Sequence, residues 1–255
     1  MTNLVSIFGT YNYRARLNCA ILFIAPILLE MFLIFPQFRD LYTAIPVIIV
    51  IYAFLNVFII LTRMKGSKAF SSCYKGKLLP AQQYLLPNDE NLDKITKQRY
   101  YDFFKQNITG WEMLEYDEAD NEILRFKKNT HNKDMANSAI NWLIAQTRDY
   151  QKFYLVHEEN MNLAASYNML GLKPYAILLN LVLLAANIAV LYFSFYPNII
   201  FTNEYMSAII STIINLSFLA FWIVCVSHDL VRKSGHKYAK AILSCCDSTY
   251  LNKKE

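Results

Sequence analysis

The sequence predicts an all-α integral membrane protein in which two transmembrane helical hairpins flank a mainly helical cytosolic domain. Three observations predict it: four long apolar stretches, positive charge gathered at one side of each pair, and polar helical periodicity between the pairs. A hydrocarbon core of about 30 Å needs about 20 mostly apolar helical residues. The stretches are "LNCAILFIAPILLEMFLIFP" from Leu17, "TAIPVIIVIYAFLNVFIILT" from Thr43, "YAILLNLVLLAANIAVLYFSFY" from Tyr175 and "YMSAIISTIINLSFLAFWIVCVS" from Tyr205. Glu30 is their only charge. A helix buried in a soluble core normally keeps a polar face, and none of the four has one. The first stretch is too long for a signal-peptide core and no small-residue cleavage site follows it, so it reads as an uncleaved span.

Orientation follows from the cations, because basic loops resist translocation. Arg14 and Arg16 precede the first span, and Arg63, Lys65, Lys68, Lys75 and Lys77 follow the second. Lys173 precedes the third span, and Arg232, Lys233, Lys237 and Lys240 follow the fourth. The two short connections hold only Arg39. The expected order is therefore a cytosolic N-terminus (1–16), hairpin 1 (17–62), a cytosolic domain (63–174), hairpin 2 (175–227) and a basic cytosolic tail (228–255). Both termini are expected to face the cytoplasm.

The net charge of +5 belongs mainly to the flanking segments, since residues 63–173 carry 16 Lys/Arg against 14 Asp/Glu. A near-neutral domain lacks the basic face that a nucleic acid requires, so nucleic acid is not an expected partner. The basic run from Arg63 to Lys77 suits anionic headgroups, which makes the lipid bilayer the first partner. Cys245 and Cys246 read as ordinary thiols or a palmitoylated pair.

Within the central domain, "KGKLLPAQQYLLPND" lacks a helical period and reads as a linker. "NDENLDKITKQRYYDFF" predicts an amphipathic helix carrying Leu92, Ile95 and Phe103. "WEMLEYDEADNEILRF" fits either a helix or a hairpin, and "THNKDMANSAINWLIAQTRDYQKF" puts Met135, Ala139, Trp142 and Leu143 on one helical side. Gly171 and Pro174 predict a break or hinge just before the third span.

No Gly-rich phosphate loop, "HExxH" or nucleophile elbow occurs, and only six glycines are present, so no enzyme, cofactor or metal is expected. No Cys/His set has metal-ligand spacing. The cluster "VHEEN", with His157, Glu158 and Glu159, and the nearby Arg148 are the candidate cytosolic sensing residues. A solvated helix face accounts for the same pattern, because neighbours one apart point in different directions.

The spans carry the stronger signal. Asn180 and Asn187 are seven apart, and Ser207, Ser211 and Asn215 follow at successive i+4 positions. Such polar ridges serve helix contacts in lipid. Counted from the cytoplasmic ends, Glu30, Asn187 and Asn215 share one level near the middle of the bilayer, with Asn56 and Asn180 nearer the inside. A carboxyl facing lipid is costly, so Glu30 faces inward. Two readings stand: a neutral acid bonded to Asn187 or Asn215 that ties the hairpins together, or a group lining a wet path that sets ion preference. Four helices seldom enclose a channel alone, so a pore implies a homo-oligomer.

The order of two spans, a cytosolic helical domain and two further spans resembles the four-transmembrane-helix effectors of bacterial anti-phage systems that accompany cyclic-nucleotide (CBASS) or retron modules. The blocks "LLPNDENLDKITKQRYY", "TRDYQKFYLVHEEN" and "YNMLGLKPY" are similar to recurring blocks of small bacterial membrane proteins. The resemblance is one of layout and implies an effector that disrupts the inner membrane when a defence-system partner or small signal triggers its cytosolic domain. A membrane-anchored scaffold for a cytosolic partner, or a small transporter or channel, is the alternative.

Overall fold

The computed structural model describes residues 10–34, 41–117, 119–194 and 205–252, and the side chains of residues 10, 13, 41–53 and 194 lie outside that description. Residues 35–40 and 195–204, where the expected outer connections and Arg39 fall, are also outside it. All regular structure among the described residues is helical. In order these are α1 (Thr10–Asn12), a π turn (Tyr13–Leu17), α2 (Asn18–Ile34), α3 (Leu41–Cys73), α4 (Pro80–Tyr84), α5 (Lys94–Asn107), α6 (Glu122–Gln146), α7 (Tyr154–Ser194), α8 (Tyr205–Val224), α9 (His228–Leu243) and a 3₁₀ turn (Ser244–Asp247).

Three of the described helices are long and apolar enough to cross a membrane: Arg14–Ile34, Tyr154–Phe193 and Tyr205–Val224. The second predicted span lies inside α3, which runs 33 residues and continues past Thr62 to Cys73. The basic residues Arg63, Lys65 and Lys68 therefore stand on a helix and not in a loop.

The chain divides into two compact units, one of residues Met1–Cys73 with Ala164–Val231 and one of Tyr74–Leu163 with Arg232–Glu255. These limits differ from the sequence reading. The stretch 63–73 and the residues from Ala164 onward go with the apolar helices, and the C-terminal segment is no free tail. Its Ala239, Ile242, Leu243, Cys245 and Cys246 are buried in the core of the second unit. Burial pushes the Cys245 thiol up to about 11, which leaves neither member of the pair an accessible, reactive thiol.

The second unit is a conventional apolar core. Tyr84, Leu85, Phe104, Leu143, Ile242 and Leu243 are fully buried at its centre. Asp93 caps α5 by accepting the Thr96 N–H at 2.8 Å, and that bond holds its carboxyl below the ordinary range. The cap also sets the helix register. Lys97, Tyr100 and Phe104 then face the core, and Ile95, two residues before Lys97 and so about 200° around the helix, is 79% exposed instead of buried as predicted. Lys97 is buried because its ammonium donates to the carbonyls of Leu86, Pro87 and Asp89. Burial lowers its affinity for the proton, opposed in part by Asp89 and Glu90.

Asn121 caps α6 by accepting the Leu124 N–H at 2.8 Å. The ambiguous stretch is therefore neither a hairpin nor one helix: residues 111–117 are irregular and the helix starts at Glu122. The predicted linker contains the short helix α4, started by Pro80 and held by the Leu79 N–H donating to Gln82 Oε1 at 3.1 Å. On α6, Ala136, Ala139, Ile140 and Leu143 are buried, with Met135 and Trp142 packed beside them, as the periodicity predicts.

The first unit is built differently. Where apolar helices cannot be driven together by expelling water, small residues and interhelical hydrogen bonds take over. A Cβ on Gly171 would sit 2.5 Å from the Gly66 nitrogen, and a Cβ on Gly66 would sit 2.9 Å from the Asn168 Cα, so α3 and α7 touch backbone to backbone. The π turn provides the third side: Asn168 Nδ2 donates to the Ala15 carbonyl at 2.6 Å. At the far end of α8, Lys173 Nζ donates to the carbonyls of Ile223 (3.0 Å) and Val226 (2.7 Å), placing a cation at a helix C-terminus.

Candidate functional site

The polar residues of the apolar helices converge. On α8, Ser211 and Asn215 are one turn apart and buried, and Ala208 one turn before Thr212 continues the small-residue side. On α7, Asn180 and Asn187 are buried two turns apart, and on α2 Glu30 is buried at 7% exposure. Asn215 Nδ2 donates to Glu30 Oε2 at 3.2 Å, and Asn187 Nδ2 donates to Ser211 Oγ at 3.2 Å. The layer thus joins α2 to α8 and α8 to α7.

A carboxyl and three amides in an apolar surrounding are expensive unless bonded. Each amide here uses its donor: Asn180 Nδ2 donates to the Ala176 carbonyl of its own helix at 2.8 Å, and the other two donate across helices. The acceptors differ. Asn180 Oδ1, Asn187 Oδ1 and Asn215 Oδ1 are buried without a hydrogen-bond partner.

Other predicted residues are placed elsewhere. Asn56 lies on the exposed side of α3 and is no part of the buried layer. Gly171 and Pro174 form no break, since α7 is continuous through both; Gly171 is required by the close α3 crossing. His157 Nε2 lies 3.0 Å from the Thr147 carbonyl, so the ring donates there and closes the end of α6, with Tyr150 against it at 5.4 Å. That nitrogen is not available as a base. Arg148 is exposed, Glu158 is half-buried, and Glu159 keeps one buried oxygen, Oε2, without a partner. The structure does not gather these four into one site.

Sequence reasoning missed Asn168 and Gly66. Their only signal is a polar residue and a glycine in segments that read as membrane-flanking. It also missed a cavity of about 1210 Å³ in the second unit, where Tyr101, Trp111 and Met113 meet the acids Asp102, Glu112 and Glu115. Among the described residues, no three His, Cys, Asp or Glu side chains gather to hold a metal. Comparison with protein-family models, with curated proteins and with solved structures finds no match to this chain.

Proposed function

We propose that this chain is a multi-pass effector of a bacterial inner membrane, acting in anti-phage abortive infection by perturbing membrane integrity when its cytosolic residues are triggered. Both termini face the cytoplasm in this reading, and the perturbing species is a homo-oligomer. The observation that carries it is the Glu30–Asn215 pair, a carboxyl and an amide held in reserve among apolar helices. Polar groups inside a span are retained at a cost in insertion free energy, which points to use. In the described chain they are bonded to each other and buried, which suits a closed resting state. Separating α2 from α8 would bare a carboxyl, two amides and a hydroxyl at one depth, enough to wet a path between subunits. The layout shared with four-span defence effectors supports the same reading.

The test is to express the protein in bacteria challenged with phage and to follow membrane potential and dye entry together. Depolarisation and dye entry that depend on the protein are expected, and Glu30→Gln should change their extent at least severalfold. An intact potential with the protein present in the membrane rejects the reading.

The cavity in the second unit favours one further reading, a membrane-anchored scaffold that captures a cytosolic partner. On that reading Glu30→Gln leaves function intact, while a change in the cavity lining such as Glu112→Lys abolishes capture.

A further inference from the structure

We propose that Glu30, Asn215, Asn187 and Ser211 bind a small monovalent cation, with sodium as the probe. This inference rests on the reading of the apolar helices as membrane spans.

The argument starts from an imbalance. Four hydrogen-bonding side chains from three helices meet in one layer, and the two cross-helix bonds among them use only amide N–H groups as donors. The amide oxygens of Asn187 and Asn215 are left buried and unpaired. A buried polar atom without a partner costs about 1–3 kcal/mol, so two in one layer call for a ligand that accepts electron pairs. Turning the Asn215 amide over does not cure the imbalance. Its oxygen would then meet Glu30 Oε2, which needs a proton on the acid, and its NH₂ would be orphaned instead.

A cation answers all of it at once. The lone pairs of the layer are all on oxygens, since its two amide nitrogens act as donors: two oxygens from the Glu30 carboxylate, one each from the amides, and the Ser211 hydroxyl, which gives its lone pairs to the Asn187 N–H or to an ion. Ser211 and Asn215 are four residues apart, about 6 Å along the helix axis. Glu30 and Asn187 are each hydrogen-bonded to one of them at 3.2 Å, so the four side chains gather over about one helical turn. Hard cations of this size take oxygens at about 2.3–2.6 Å, and ligands opposite one another are then about 5 Å apart. The scale matches.

Charge decides the valence. One carboxylate supplies one negative charge, and a net charge left in an apolar surrounding is costly. A monovalent ion neutralises the layer, whereas a divalent ion would leave a positive charge uncompensated. A proton on Glu30 also neutralises it but fills neither amide oxygen without orphaning another group.

The experiment uses the full chain purified in a non-ionic detergent at fixed pH and constant total salt, with choline chloride replaced stepwise by sodium chloride. The midpoint of thermal unfolding is followed by circular dichroism. A ligand that binds only the folded state raises that midpoint with concentration. The wild-type midpoint should rise by several degrees and saturate. Glu30→Gln, which keeps the bond to Asn215 but carries no charge, should show no rise. Ser211→Ala, a small change that preserves packing, should shift half-saturation to at least fivefold higher sodium. If Glu30→Gln does not fold, Ser211→Ala carries the test alone. Equal sodium responses in the wild type and whichever variants fold overturn the proposal. So does a wild-type midpoint that rises only as pH falls and ignores sodium, since a protonated acid would then complete the layer. A membrane that stays polarised on phage challenge rejects the effector reading without touching this result, and a missing sodium response leaves the depolarisation measurement to stand by itself.

Discussion

Asn132 in the second unit and Asn187 in the first are both fully buried amides on helices, yet they are satisfied differently. Asn132 Oδ1 accepts the Leu114 N–H at 2.8 Å, and its Nδ2 donates to the Leu114 carbonyl at 2.9 Å. Both functions of the side chain are consumed by one backbone unit, which fixes the irregular segment 111–117 onto α6. Asn187 gives its donor to Ser211 and keeps its acceptor. The first arrangement is a latch, with both the donor and the acceptor end of the amide engaged. The second is incomplete, with the same feature repeated at Asn215 and a carboxyl beside it. Burial alone therefore does not separate a structural amide from one with binding capacity. An unpaired oxygen alone does not either, since Asn168 and Asn180 keep one too; Asn187 and Asn215 differ in sharing a layer with the Glu30 carboxyl.

The largest effect should fall on the backbone crossing that brings the first unit's helices together. Gly171→Ala places a methyl against the backbone of Lys65 and Gly66, atoms that cannot turn aside as a flexible side chain would. The helices must move apart, at a cost of about 3 kcal/mol, the upper end for overpacking. Thermal unfolding in detergent should show it as a clear fall in midpoint. An unchanged midpoint would mean that α3 and α7 are not held at this distance.

Next is the latch. Asn132→Ala removes the partner of a backbone N–H and a backbone carbonyl together, and an unsatisfied pair of this kind costs about 1–3 kcal/mol. Limited proteolysis should then cut between Trp111 and Asp117 severalfold faster than in the wild type. Resistance equal to wild type would show that Trp111, packed on Tyr101 and Phe104, holds the segment by itself.

Much of this was legible in the sequence. The helical class and three of the four expected membrane-length helices follow from apolar length; polar spacing singled out Glu30, Asn187, Ser211 and Asn215, because a helix turns polar groups at i and i+4 to one side, but the same reading grouped the exposed Asn56 with them. Ile95 was misplaced because amphipathic spacing alone does not fix register; the Asp93 cap does. Gly171 was misread as a hinge because a glycine looks the same in sequence whether it frees the chain or admits a neighbouring backbone. The C-terminal segment was misread as a tail because the cations of α9 hide its core-facing Ala239, Ile242 and Leu243. Asn168 was invisible for a further reason: its partner, the Ala15 carbonyl, belongs to a π turn, which sequence patterns do not announce.

The smallest effect sharpens the comparison most. Asn187→Leu removes an amide of which only the donor is paired, and replacing a half-satisfied buried polar group with an apolar one of similar size is often close to neutral. Its midpoint without sodium should lie within about 1 kcal/mol of the wild type, far from the loss at Asn132. With sodium the two should part again: Asn187→Leu has given up one of the layer's oxygens and should respond more weakly than wild type, whereas Asn132→Ala should keep the full sodium-dependent rise from its lower starting point. A loss at Asn187 as large as that at Asn132 would mean that the Ser211 bond is a latch too, and the two amides would then be alike after all.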